Sequence, residues 1–220
     1  MYRSFDFQVN HGLVATKTEF QSQCRSAFSA TDAARIAKGL EIATKAHLRQ
    51  LRSDGGPYIV HPIRTALLAM RYDSLCTPEL VIACLLHDTL EDTELTESEV
   101  AQEFGLVVTE YVVSVTRYRP ATETPQQRFE SKSANWQKII NSCREVRSIK
   151  TFDYCDNMIT WKFIKPEMPG YKKIPRWLRE AQELYLPLAR ITNPEAVRLI
   201  EHEIEGYLSA GHEMGDRLGP

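Results

Sequence analysis

An all-α fold in a single domain is what this sequence predicts, and three observations predict it. Helix-start signals recur, with proline or a small polar residue repeatedly heading an apolar stretch of helical spacing. Strand signals are scarce, apart from one β-branched run. No internal repeat or linker divides the 220 residues, a length that suits one domain with a sizeable core.

Residues 1–30 have no clean periodicity and read as an N-terminal extension or a short leading helix. A long Ala-rich amphipathic helix is expected from Thr31 or Asp32 to about Arg52. The loop Ser53-Asp54-Gly55-Gly56-Pro57 breaks it. In His61-Pro62 the proline favours the first helical position, so His61 reads as the N-cap of a helix reaching about Tyr72. Thr77-Pro78 repeats the signal for a helix that carries Val81, Ile82, Cys84, Leu85 and Leu86 into His87-Asp88. Thr96 and Glu99 have capping-box spacing, and Phe104-Gly105 ends that short helix. The run Val107–Val115 has apolar residues at 108, 112 and 115, which favours a buried helix over a strand.

Residues 117–135, polar and with two prolines, read as a surface loop. Helices from about Asn135 to Cys143 and over Ile149–Phe163 follow. Pro166, Pro169, Gly170 and Pro175 punctuate a second loop. Arg176–Ile191 and Pro194–Leu208, the latter capped by Asn193, complete a domain over 31–209. The tail over 210–220 reads as frayed from Gly211.

Composition narrows the function classes. A formal charge of −2 gives no argument for a DNA or membrane surface as partner. The five cysteines, Cys24, Cys76, Cys84, Cys143 and Cys155, include no CxxC pair, so neither a zinc ribbon nor a disulfide framework is indicated. Nothing approaches about 18 uninterrupted apolar residues. The opening MYRSFDFQ lacks a signal-peptide pattern, so a cytoplasmic, reducing setting is expected.

The chemistry concentrates in His87-Asp88-Thr89-Leu90-Glu91-Asp92-Thr93. At helical spacing Glu91 lies one turn after His87 and Asp88, and Asp92 one turn after Asp88. Such a crowd of imidazole and carboxylate groups repels itself unless something cationic holds it, and a divalent metal is the economical choice. Two further segments carry related groups, Pro57-Tyr58-Ile59-Val60-His61-Pro62 and Ile149 through Met158.

Together these supply His61, His87, Asp88 and Asp153 in the order H…HD…D, which resembles the HD-domain metal-dependent phosphohydrolases. AHLRQLRSDGGPYIVHP, LLHDTLEDT, FGLVVTEYVVSVT and IKTFDYCDNM resemble more narrowly the hydrolase domain of Rel/Spo proteins and the small alarmone hydrolases. EAQELYLPLA resembles the segment that closes that domain. The likeness covers residues from about 31 to about 205.

The resemblance implies an HD-domain bundle of about eight to ten helices and a manganese-dependent enzyme. Such an enzyme removes the 3′-pyrophosphate of (p)ppGpp to give GDP or GTP. By position, His61, His87, Asp88 and Asp153 match the metal ligands, and Glu91 and Asp92 the pair that handles the attacking water. Arg52 and Asn157 match nucleotide contacts. Mixed His/Asp ligation suits manganese, iron or zinc. With little chain left after the closing segment, no synthetase activity is expected.

Family members usually read closer to KLADRLHNMR in the last block. Here Tyr154 and Ile159 stand where basic residues are usual, Asp156 where histidine is common, and Ser53 where lysine is frequent. Lys150, with Arg117, Arg119, Lys162, Lys172, Lys173 or Arg176, would supply the missing positive charge. The departures leave ppApp, the 2′-phosphate of NADPH or a pyrophosphorylated RNA end as alternative substrates, and a non-enzymatic nucleotide-binding module as a different class. A toxic synthetase, or a second copy of the chain, are the protein partners left open. His47 reads as a packing or supporting histidine, and His11, His202 and His212 have no partners at metal spacing. Trp177 and Tyr185 read as packing residues, and Tyr58 reads as packing under the loop in preference to lining the site.

Overall fold

The computed structural model describes residues 12–52, 55–118 and 122–216; Ser53, Asp54, Arg119 and His11 lie outside them. Its helices are α1 Leu13–Ala27, α2 Ala30–Ala46, α3 Val60–Tyr72, α4 Pro78–Leu86, α5 Thr89–Asp92 and α6 Glu97–Phe104. They continue with α7 Leu106–Val115, α8 Pro125–Ile140, α9 Arg144–Trp161, α10 Ile174–Glu180, α11 Leu186–Arg190 and α12 Pro194–Ser209. A π-helical segment, Ala181–Tyr185, joins α10 to α11, making Ile174–Arg190 one continuous helix. With α5 as a single turn, ten longer helices and no strand are present among the described residues, as the all-α reading requires.

α3 is the centre of the molecule. Every residue from Val60 to Ala69 is buried, because α3 packs on α9 and α4 and receives α1 on another side. α4 in turn packs on α2 and α7. A helix enclosed all round is normally apolar all round, so the His61, Arg64 and Thr65 that α3 carries are conspicuous. α1 contributes Phe20 and Cys24 to the same core as the later helices. No helix among the described residues is long and apolar enough to cross a membrane.

Several boundaries differ from the expectation, each for a local reason. α2 stops at Ala46 rather than near Arg52. His47 Nδ1 lies 2.7 Å from Gln50 Oε1, and the Gln50 amide donates to the Asp92 carbonyl at 2.5 Å, so the chain leaves the helix to reach α5. Tyr58 N donates to Gln50 O at 3.0 Å, closing a loop whose Gly55 takes a φ of 84° that favours glycine. α3 is capped at Ile59, which puts His61 inside its first turn rather than at the cap. Pro62 is tolerated there because that turn's N–H groups have no helical partner anyway.

Residues 125–134, expected as loop, are the first half of α8. Pro125 stands at its start, Thr124 accepts from Gln127 N, and the Gln127 side chain accepts from Thr124 N. That capping box was present in the sequence. The periodicity was not, since Ile139 is the buried residue of α8. The helix expected from Asn135 is the end of α8, and α9 begins at Arg144, five residues earlier than Ile149. The C-terminal residues to 216 dock rather than fray: Gly215 N donates to Pro175 O at 2.8 Å and Arg179 Nε to Gly215 O at 2.7 Å.

Candidate metal centre

The His87-Asp88 pair sits at the junction of two helices. His87 closes α4 and Asp88 opens α5. The threonines of the run fasten that junction, Thr89 Oγ1 donating to Leu86 O and Thr93 Oγ1 to Thr89 O, both at 2.7 Å. His87 Nδ1 lies 2.8 Å from the Cys84 carbonyl. A carbonyl only accepts, so Nδ1 carries a proton and Nε2 is the nitrogen left to face the cluster. Nε2 is turned inward, 3.0 Å from Asp88 Oδ2 and 3.7 Å from Asp153 Oδ1.

His61 repeats the arrangement from α3. Its Nδ1 lies 2.7 Å from Asp156 Oδ2. Its Nε2 lies 3.1 Å from Asp153 Oδ1 and 3.7 Å from Asp88 Oδ2. Asp153 comes from the middle of α9, where neighbouring turns hold both its oxygens: Lys150 Nζ donates to Oδ2 at 2.7 Å and Asn157 Nδ2 to Oδ1 at 2.8 Å. The structure thus brings together all four residues predicted as ligands, from α3, the α4–α5 junction and α9.

The electrostatics are those of a cation site. Burial opposes the charged imidazolium of His87, but the Asp88 and Asp153 charges outweigh it and hold its pKa well above the usual value. Burial likewise opposes ionisation of Asp88 and Asp153, yet His87 holds the first below the carboxylate range and Lys150, foremost, the second. A divalent metal fits the donor set. His61, His87 and Asp88 offer ligand atoms within 4.8 Å of one another. The buried His87 Nε2 has no aligned hydrogen-bond partner among the described residues, as a nitrogen open to a cation would.

The remaining predicted residues lie around this cluster. Glu91 Oε2 accepts from the Arg117 backbone N–H at 3.1 Å, while Asp92 is exposed and holds Gln50 through its carbonyl. Arg52 Nη2 donates to Asn157 Oδ1 at 3.1 Å and to Thr160 Oγ1 at 3.3 Å, so Arg52 and Asn157 form one polar edge beside Asp153. Lys150 is paired with Asp153 itself. Of the other cations expected to supply positive charge, Arg117 pairs with Glu123 at 2.8 Å and Arg176 with Glu180 at 3.3 Å.

Sequence reasoning missed three groups. Tyr58, read as packing, donates its hydroxyl to Asp88 Oδ2. Arg64 is buried in mid-helix outside any motif, and Asp156 stands in the sequence only as a departure from the family pattern. The signal was there: Arg64 lies one turn after His61. Tyr154 and Ile159, two further departures, face the core. Tyr154 stacks on Tyr185 with ring centroids 3.4 Å apart and donates to Trp177 O at 2.6 Å. His47 is buried and packs its ring 4.8 Å from that of Tyr58, as a supporting histidine should.

Comparison with known proteins agrees with this fold. Residues 39–191 match the family profile described as HD domain. A guanosine-3′,5′-bis(diphosphate) 3′-pyrophosphohydrolase of Aquifex aeolicus is 36% identical over 181 residues, 78% of this chain and 23% of the relative. That of Haemophilus influenzae is 35% identical over 160 residues, 71% of this chain and 22% of the relative. The chain therefore spans less than a quarter of the length of these relatives. A solved structure described as a metazoan ortholog of SpoT that hydrolyzes ppGpp superposes with a TM-score of 0.66 at 22% identity. It covers 81% of this chain and 96% of its own, a likeness of fold.

Proposed function

This chain belongs to the HD-domain family, and we propose that it hydrolyses the 3′-pyrophosphate of (p)ppGpp in the cytoplasm with manganese as its metal. One observation carries the reading. Two imidazole Nε2 atoms, their Nδ1 protons fixed by Cys84 O and Asp156, converge with Asp88 and Asp153 on one point. The substrate follows from the relatives, whose names specify guanosine-3′,5′-bis(diphosphate) and a 3′-pyrophosphohydrolase activity.

In this reading His61, His87, Asp88 and Asp153 hold the divalent ion. When bound, such an ion supplies an acidified water and polarises a phosphoryl oxygen. Glu91, fixed by the Arg117 amide, takes the proton of the attacking water as general base, and Asp92 orients that water from the next position. Attack at the phosphorus next to the 3′-oxygen releases pyrophosphate and returns that oxygen as a hydroxyl. Arg52 and Asn157 form the edge that receives the nucleotide. Lys150, besides holding Asp153, turns its remaining N–H groups to the anionic substrate.

The test is release of pyrophosphate from ppGpp with added manganese, run beside ppApp, NADPH and a pyrophosphorylated RNA end. Turnover of ppGpp above all three supports the proposal. Equal turnover, or none with ppGpp, overturns it.

A further inference from the structure

α3 sets His61 and Arg64 one turn apart, and both aim N–H donors at a single carboxylate on α9. Asp156 Oδ2 lies 2.7 Å from His61 Nδ1 and 3.1 Å from Arg64 Nη2, and its Oδ1 lies 2.6 Å from Arg64 Nε. All three residues are buried, Asp156 to 0% and Arg64 to 1% exposure. A buried ion pair of this kind roughly breaks even in stability against well-packed apolar residues. Stability is therefore a poor account of its presence.

The geometry gives a better one. An ionised carboxylate only accepts, so the short contact to Asp156 puts a proton on His61 Nδ1 and leaves Nε2 as the nitrogen that faces Asp153 and Asp88. The bidentate Arg64 in turn fixes the plane of the carboxylate. The resemblance leads one to expect histidine at position 156. A neutral histidine offers one lone pair, and here three donors converge. Arg64 and Asp156 therefore answer each other, and the departure at 156 is matched on α3.

We infer that Asp156, clamped by Arg64, is a positioning residue that fixes the tautomer and direction of His61 toward a divalent cation. This rests on the reading of His61 as a ligand. Carboxylates behind ligating histidines raise ligand basicity, and their loss typically weakens metal binding about 10–100-fold.

The experiment is calorimetric titration of manganese into the metal-stripped full chain, with Asp156→Asn, His61→Ala and the double variant Arg64→Met/Asp156→Asn, which removes both buried charges together. Asp156→Asn is expected to weaken manganese binding by about 10–100-fold, with turnover recovering at saturating manganese. Manganese affinity unchanged in Asp156→Asn or in the double variant overturns the inference. Unchanged affinity in His61→Ala overturns the ligand reading instead. Should the Asp156 variants fail to fold, nitrogen-15 histidine spectra of the unaltered chain decide: a His61 proton on Nδ1 is expected, and an Nδ1 that carries no proton overturns the inference.

Discussion

Tyr58 donates its hydroxyl to Asp88 Oδ2 at 2.5 Å, tying the loop after α2 to the junction of α4 and α5. Burial, and after it the Asp88 charge, push the Tyr58 hydroxyl well above its ordinary pKa, so it acts as a donor across the whole working pH range. The ring rests on His47, whose own Nδ1 holds Gln50. A chain of side chains thus runs from the end of α2 to a carboxylate of the candidate metal centre.

Tyr58→Phe keeps that ring packing and deletes the donor. The expected result is a fall in pyrophosphohydrolase turnover of about 10-fold with little change in melting temperature, since outer partners of metal ligands act at this scale. Steady-state kinetics and thermal unfolding on the same preparation check it. Full turnover would mean that the hydroxyl does not orient Asp88.

Asp153→Ala and Glu91→Ala separate holding the metal from moving the proton. The first removes an oxygen at 3.1 Å from His61 Nε2 and is expected to lose bound metal and turnover together. The second is expected to keep stoichiometric metal and lose about 100-fold or more in turnover, the usual contribution of a positioned general base. Elemental analysis beside kinetics reads both, and metal retained in Asp153→Ala contradicts the assignment.

Tyr154→Arg restores the basic residue usual in the resembling family. It is expected to destabilise the protein by on the order of 3 kcal/mol, because it sets an unpaired charge where a ring is 7% exposed and stacked on Tyr185. It is not expected to raise ppGpp turnover. Denaturant unfolding gives the first quantity, and a stable, faster enzyme would place position 154 at the substrate.

The pH dependence has two limbs of opposite sign. His87 has its folded pKa raised by the carboxylates beside it, so its contribution to the metal-free protein is complete below about pH 6.5 and is lost as pH rises through the folded value. Asp88, Asp153 and Asp156 have lowered folded pKa values, so theirs is present above about pH 4 and lost as pH falls through the lowered values. Manganese needs neutral imidazoles and displaces a proton on binding. From about pH 6.5 upward the melting temperature of the metal-free protein should fall while the increment given by manganese grows. Scanning calorimetry at several pH values checks both, and an increment that shrinks with rising pH contradicts the site.

The sequence alone determined the all-α class, most helix starts and the four candidate ligands. These depend on local signals: Thr77-Pro78, Thr96 with Glu99, Asn193-Pro194 and the compact HDTLEDT run each act within a turn or two of themselves. The first half of α8 escaped because its solvated face carries no apolar period, although its capping box was readable. Only the tertiary structure decided which nitrogen of each histidine faces the cluster, that Tyr58 holds Asp88, and that Arg64 answers Asp156 across 92 residues of chain. Apart from the local contact of His87 to Cys84, those bonds join α3 to α9 and the loop before α3 to the α4–α5 junction. Their partners are chosen by how the buried helices pack, and burial is what obliges each polar group to find one.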